Sequence, residues 1–340
     1  MKRIIYTFLL AGMISFEADA QDKGQSGERR MAVVELSSIY MRQQPDYESA
    51  LETQELMGTV VEIVGEQGYW REIVSPQPYR AWATEKGLIE MSEDALEDYV
   101  KAPKVIYSGL YGHIYMEASL KSATLCDLVG GDVMRFIGEK GKWTEVMLPS
   151  GAKGYVPSKE VKEHKGFFSI AQGEGSAESI DAQTTEKIIA EAEKLLGVPY
   201  LWGGMTAKGV DCSGLVRISH IMNGIVLPRN ASQQINCGYR VPMDLDTAWW
   251  EIISASKALD EKELKVEMQR RVKNLERGDL VFFGTPATEP GKRVRVSHVG
   301  IYLGDGKIIH SSHMVRVNSL IPGSSDYYEN SWKLLGAIRL

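Results

Sequence analysis

Pro199-Tyr200-Leu201-Trp202-Gly203-Gly204, followed after five residues by Val210-Asp211-Cys212-Ser213-Gly214-Leu215-Val216, runs a glycine-rich loop into an apolar stretch that ends at Asn223-Gly224. Asp211 is a natural N-cap, so the pattern predicts a helix with Cys212 in its first turn. Unpaired backbone N–H groups and the positive end of the helix dipole there favour a thiolate, and the same N–H groups suit an oxyanion. Upstream, Thr184 or Thr185 is the expected cap of a helix with Ile188, Ala192, Leu195 and Leu196 on one face, stopped by Gly197 and Pro199.

A reactive thiol needs a base, and the chain has six histidines. Asn274-Leu275-Glu276-Arg277-Gly278-Asp279-Leu280-Val281-Phe282-Phe283 reads as a turn into a buried strand, and Val296-Ser297-His298-Val299-Gly300-Ile301-Tyr302-Leu303 as the next. Gly304-Asp305-Gly306 then turns the chain into Lys307-Ile308-Ile309-His310, so His298 and His310 belong to one hairpin. A two-residue loop, Asp305-Gly306, sets His298 opposite His313, whereas a three-residue loop brings His310 to its face. A strand histidine taken alone is more often structural than catalytic. His310 and His313 are too few to build a metal site, and neither a metal nor another cofactor is expected.

The N-terminus has a separate logic. Lys2 and Arg3 precede an apolar stretch, Ile4 to Ile14, too short to span a bilayer, and Ala18-Asp19-Ala20 fits a cleavage site. Residues 1–20 therefore read as a signal peptide, and the mature chain as an exported, periplasmic or secreted protein without a membrane span. A net charge of −6 with no basic stripe argues against nucleic acid. Three cysteines, Cys126, Cys212 and Cys237, do not make a disulfide framework. Cys126 reads as a small buried hydrophobe, and a monomer is expected.

The first half repeats. Ile39-Tyr40-Met41 recurs as Ile114-Tyr115-Met116, and Gly65-Glu66-Gln67-Gly68-Tyr69-Trp70-Arg71-Glu72-Ile73 as Gly138-Glu139-Lys140-Gly141-Lys142-Trp143-Thr144-Glu145-Val146. Short strands broken by Gly or Pro suit a small β-barrel, and both copies resemble the bacterial SH3-like domains that accompany cell-wall enzymes. Trp70 and Trp143 read as core residues. Gln172 to Ser179 is polar and small, as linkers are. The expected organisation is a first SH3-like domain at 30–98, a second at 99–165, a linker at 166–183 and a final domain at 184–340.

That final domain resembles the NlpC/P60 cell-wall cysteine peptidases, on the run from Gly197 to Val216, on Leu275 to Phe283 and on Ser297 to Gly306. Two SH3-like domains ahead of it, with Leu227-Pro228-Arg229-Asn230-Ala231-Ser232-Gln233-Gln234, further resemble the γ-D-glutamyl-L-diamino-acid endopeptidase branch, with Asn230 where that branch often has Asp. The resemblance implies an α+β fold, a papain-like catalytic domain behind two SH3-like β-barrels. It implies Cys212 as nucleophile, His298 as base, His310 as the residue orienting His298, and Tyr200 beside the oxyanion. Asp211, Ser213, Trp202 and Ser232 match substrate-contacting positions, and Glu48 and Tyr79 are the expected contribution of the first barrel. Asp211 has a plainer reading as an N-cap, Trp202 as core and Glu48 as a solvated charge. The implied substrates are peptidoglycan-derived peptides, L-Ala-γ-D-Glu followed by a diamino acid. A wall-binding scaffold with an unused peptidase fold, and a Cys-His amidase or acyltransferase, are the competing readings.

Overall fold

The computed structural model describes residues 29–170, 173, 180–243, 260–285 and 295–340. The proposed signal peptide and most of Gln172 to Ser179 lie outside the described residues.

Seven strands form the first sheet: β1 (Arg30–Val34), β2 (Ser38–Arg42), β3 (Leu51–Leu56), β4 (Val60–Gln67), β5 (Trp70–Ser75), β6 (Tyr79–Thr84) and β7 (Leu88–Met91). After helix α1 (Glu93–Lys101) come β8 (Lys104–Tyr107), β9 (Tyr111–Tyr115), β10 (Thr124–Val129), β11 (Val133–Lys140), β12 (Trp143–Met147), β13 (Lys153–Pro157) and β14 (Val161–His164). The strand orders, β3-β2-β6-β5-β4-β1-β7 and β10-β9-β13-β12-β11-β8-β14, are the same order displaced by seven. The sequence repeat is thus a repeat of topology. It extends to the irregularities, since β4 is bulged between Ile63 and Gly65 where β11 is bulged between Phe136 and Gly138. Trp70 is buried as expected, whereas Trp143 is only half-buried.

Barrel closure is the expectation that the pairing does not meet. Each sheet keeps two edges, β3 and β7 in the first and β10 and β14 in the second. Strand β3 has another neighbour: its Thr53, Gln54 and Glu55 are 0%, 1% and 3% exposed although all are polar. They face the C-terminal region, where the Gln54 Oε1 accepts the Met205 N–H at 2.7 Å.

The C-terminal region starts with a short parallel pair, β15 (Phe168–Ser169) with β18 (Ile225–Val226), and a second small pair, β16 (Met205–Thr206) with β17 (Gly209–Val210). Helices α2 (Ala182–Lys194), α3 (Cys212–Ile221) and the single turn α4 (Ala231–Gln234) precede α5 (Glu261–Arg271). The main sheet contains β19 (Tyr239–Arg240), β20 (Leu280–Thr285), β21 (Arg295–Gly304), β22 (Lys307–Ser312), β23 (Met314–Ser319) and β24 (Leu334–Arg339) in the order β19-β24-β20-β21-β22-β23. Alternation along β20 shows why its apolar run is continuous: Leu280 and Phe282 join the core with α2 and α3, while Val281 and Phe283 join the core with Met268 of α5.

The cap of α2 is Asp181, whose carboxylate accepts the Thr184 N–H at 2.8 Å, so the helix begins earlier than the threonine caps predict. Leu196 is half-exposed beyond the helix end rather than on its buried face. All three cysteines are free, and Cys126 packs only partly buried against the second sheet's core.

Candidate active site

Helix α3 starts at Cys212 because Asp211 caps it, with Oδ1 accepting the Gly214 N–H at 2.7 Å. The loop before it is pinned by the same carboxylate, whose Oδ2 accepts the Gly203 N–H at 2.9 Å. Gly203 has φ +76, and a Cβ there would meet Leu51 Cγ at 2.9 Å, so only glycine lets this loop lie against β3.

Cys212 is 8% exposed. Burial, reinforced by the Asp211 charge, pushes its thiol up to about 12, against the opposing pull of the Val299 and Ser213 backbone N–H groups and Arg229. The expectation that the helix start alone yields a thiolate is therefore not met. Desolvation outweighs the dipole, and the resting sulfur carries its proton. A neighbouring base must take that proton as the reaction begins.

The base lies next to Val299, whose backbone N–H serves the Cys212 sulfur. His298 Nε2 is 2.7 Å from His310 Nδ1, and His310 Nε2 is 2.9 Å from Asn318 Oδ1. Asn318 Nδ2 donates to the Asp326 carbonyl at 2.6 Å, so its Oδ1 is the atom left to accept from His310. His310 then carries its proton on Nε2 and accepts on Nδ1 from His298 Nε2–H, which leaves His298 Nδ1 unprotonated. Neutral rings are what the surroundings favour: burial, the other histidine and Arg316 lower His298 to about 3, and burial with Arg316 lowers His310 to about 4.

The hairpin explains how the two rings meet. Its turn is the two-residue Asp305-Gly306, closed by Gly304 opposite Lys307, yet a bulge at Leu303 shifts the register so that Ile301 pairs with Ile309. His310 thereby joins the His298 face, the outcome assigned to a three-residue loop but reached by a bulge. His313 is instead exposed in the turn between β22 and β23 with φ 65, and its carbonyl accepts the Tyr200 N–H at 2.8 Å.

Tyr200 is half-buried beside Cys212, and burial with the neighbouring Cys212 and Asp211 raises its pKa, so its hydroxyl stays a donor. Trp202 is 64% exposed, not core. Ser213 is buried, its hydroxyl donating to Asp211 Oδ1 at 3.1 Å. Ser232 is exposed on α4, which packs against β21. Tyr79 bridges two regions: its hydroxyl donates to Glu52 Oε2 at 2.5 Å and is also bonded to the Asn230 side chain, while burial and Glu52 push it up to about 12. Glu48 is not brought to this seam. It is exposed in the β2–β3 loop, its N–H donating to Asp46 Oδ1, and the carboxylate that meets Tyr79 is Glu52.

Three residues close to the chemistry carry no local sequence pattern. Asn318 ends the histidine chain, Tyr328 packs edge-on against the His310 ring at 4.7 Å and faces Cys212, and Arg229 grips Asp211. Among the described residues no group of three or more His, Cys, Asp or Glu is arranged to hold a metal ion. No described helix is long and apolar enough to cross a membrane.

A helix-borne cysteine beside a strand-borne histidine pair defines a papain-like thiol site. Residues 197–334 match the NlpC/P60 family, and the chain carries an NlpC/P60 domain resembling the γ-D-glutamyl-diamino-acid endopeptidases. It is 28% identical over 286 residues to a γ-D-glutamyl-L-lysine dipeptidyl-peptidase of Bacillus cereus, covering 82% of this chain and 72% of that one. Dipeptidyl-peptidase 6 of Lysinibacillus sphaericus is 23% identical over 303 residues, covering 85% and 91%. A crystal structure of an NlpC/P60 family protein from Bacillus cereus has the same fold with a TM-score of 0.67 at 20% identity, covering 91% of this chain and 99% of that one. The shared fold therefore includes the region of the two N-terminal sheets.

Proposed function

We propose that this protein is an exported cysteine peptidase that hydrolyses the γ-D-glutamyl-L-diamino-acid bond of peptidoglycan-derived peptides with a free N-terminal L-alanine. The observation that carries the reading is the neutral chain His298–His310–Asn318 beside a protonated Cys212 at a helix start. His298 Nδ1 takes the thiol proton while the sulfur attacks the γ-carbonyl carbon. The oxyanion is held by the Tyr200 hydroxyl and the Cys212 backbone N–H. As the carbon–nitrogen bond breaks, His298 returns the proton to the leaving amine of the diamino acid. Water, deprotonated by the same nitrogen, then releases the γ-glutamyl acyl group from sulfur.

Asp211 is a poor reader of the peptide's ammonium, because its oxygens already accept from Gly203, Ser213, Gly214 and Arg229. Glu52, steadied by Tyr79 at the edge of the first sheet and next to the Trp202-Gly203 loop, is the better-placed carboxylate. In this reading Ser213, Trp202 and Ser232 line the remaining contacts. The two sheets act as SH3-like domains at 30–98 and 99–165, followed by a linker at 166–183 and the peptidase at 184–340. Relatives named as dipeptidyl-peptidases support the substrate class. Incubation with free tripeptide, free tetrapeptide and intact peptidoglycan, followed by mass spectrometry, tests it. Release of L-Ala-D-Glu by the parent and none by Cys212→Ala is the expected result, and turnover by Cys212→Ala would overturn it.

A further inference from the structure

We infer that Arg229 is a positioning residue through which Thr53 of the first sheet holds the nucleophile's helix in place, so that the N-terminal sheet is a working part of the active site. Arg229 is 2% exposed. Its Nε donates to Thr53 Oγ1 at 2.7 Å, across 176 residues of sequence. Its Nη1 donates to Asp211 Oδ1 at 3.1 Å and to Ser213 Oγ at 2.9 Å, and its Nη2 to Asp211 Oδ2 at 2.5 Å and Gly204 O at 3.5 Å. All five donors of the guanidinium fork are thereby committed. Four of the five acceptor contacts are on residues that flank Cys212 or shape the loop in front of it. The fifth is the only one supplied by the N-terminal sheet, and it fixes the fork's orientation about its own stem.

A buried ion pair is by itself weak evidence for stability, because desolvation offsets much of the attraction. Here the pair has a second consequence. Asp211 is the cap of α3 and stands next to the sulfur, so the Arg229 charge offsets a carboxylate that otherwise opposes thiolate formation. Burial and this carboxylate, and on the other side Arg229 with the Val299 and Ser213 N–H groups, set the thiol's balance, while His298, Tyr200 and Tyr328 face it from the sheet and loops. Two further contacts run in parallel from the same strand. Glu55 pairs with Arg217 of α3 at 3.6 Å, both 4% exposed, and Gln54 receives Met205. The strand thus grips the nucleophile's helix at its first turn and again further along.

This inference rests on the proposed peptidase reading, and its test keeps the two apart by adding a readout that needs no substrate. Thr53→Ser keeps the acceptor for Arg229, whereas Thr53→Val replaces it with a methyl of similar size. Folded Thr53→Val is expected to lose about tenfold in kcat with little change in KM, and Thr53→Ser to recover it. The pH profile of Cys212 alkylation by iodoacetamide is expected to move upward by about one pH unit in Arg229→Gln, which leaves Asp211 uncompensated, and part of the way back in Arg229→Lys. Thermal unfolding of each variant checks the fold, and Thr53→Val decides the matter if Arg229→Gln does not fold. An unchanged kcat in folded Thr53→Val, or an unchanged alkylation profile in folded Arg229→Gln, overturns the role of Arg229. Failure of the parent protein to cut any wall peptide would instead overturn the proposed function and leave the alkylation result to be read on its own.

Discussion

Asn318 Nδ2 lies 2.6 Å from the Asp326 carbonyl, and this single contact sets the direction of every hydrogen bond between Asn318 and the base. An amide nitrogen cannot accept, so the Asn318 oxygen must face His310, and His298 Nδ1 is left bare. Removing the amide lets His310 adopt either tautomer, and half of the resulting arrangements point His298 the wrong way. Asn318→Leu is expected to lower kcat about tenfold, equivalent to about 1.4 kcal/mol in the barrier, with KM little altered. Steady-state kinetics on the free tripeptide measure this, and an unchanged kcat would show that the ring orientations are held by packing against Tyr328 alone.

The bulge at Leu303 separates two histidines that sequence leaves as rivals. His310 is buried, bonded to His298 and covered by Tyr328, whereas His313 is exposed in a left-handed turn and contributes a backbone carbonyl. His310→Ala is expected to cost about a hundredfold or more in kcat, and His313→Ala about twofold at most. Comparable losses at the two positions would mean that the register of the hairpin matters less than the carbonyl that His313 gives to Tyr200.

The catalytic pair was legible because each half has a local cause. Asp211 before an apolar run announces a helix start at Cys212, and alternating apolar residues on both sides of a Gly-Asp-Gly turn announce the hairpin that bears His298 and His310. The repeat was legible too, since Gly-Glu-x-Gly-x-Trp survives in both copies. What escaped was set by contacts between distant segments. Thr53-Gln54-Glu55 reads as the polar face of an edge strand, and only the approach of Arg229, Met205 and Arg217 buries it. Asn318 sits in a strand whose pattern says nothing about His310, and the carboxylate serving Tyr79 is four residues from the one that loop position suggests. The Leu303 bulge escaped because a bulge adds one residue without any composition of its own.

Buried histidines also fix the acid sensitivity of the fold. His220 is 2% exposed inside α3, its Nδ1 2.7 Å from the Val216 carbonyl, and burial lowers it from near 6.5 to about 4. The unfolded chain takes up a proton near pH 6.5 that the folded chain refuses until about pH 4. Stability is therefore full above the unfolded value and falls as pH drops through that window, and His298 and His310 act with the same sign. The melting temperature is expected to decline between about pH 6.5 and 5, where carboxylates remain ionised, and His220→Gln to decline less steeply over the same range. Calorimetry across these pH values decides it, and a flat profile in the parent protein would contradict the buried neutral state.

Substrate choice turns on the charge of one amine. A free stem peptide carries an ammonium on L-alanine, while the same residue in intact peptidoglycan is a neutral amide. Arg229 already balances Asp211, so discrimination falls to Glu52, whose Oε2 is held by the Tyr79 hydroxyl at the seam between the first sheet and the Trp202-Gly203 loop. A charge-assisted hydrogen bond in such a half-buried place is worth about 1.5–3 kcal/mol, and a neutral amide would leave the carboxylate unpaired. Acetylating the tripeptide's L-alanine is expected to lower kcat/KM at least about a hundredfold, close to 2.7 kcal/mol. Glu52→Gln should lower kcat/KM for the free peptide at least about tenfold and narrow its advantage over the acetylated one, whereas Glu48→Gln should change neither. Because Glu52→Gln keeps the size of the side chain and a group able to meet Tyr79, a loss in that variant reports charge rather than collapse of the seam. Equal cleavage of the free and acetylated peptides by the parent protein would remove Glu52 from amine recognition and leave the cysteine chemistry at Cys212 untouched.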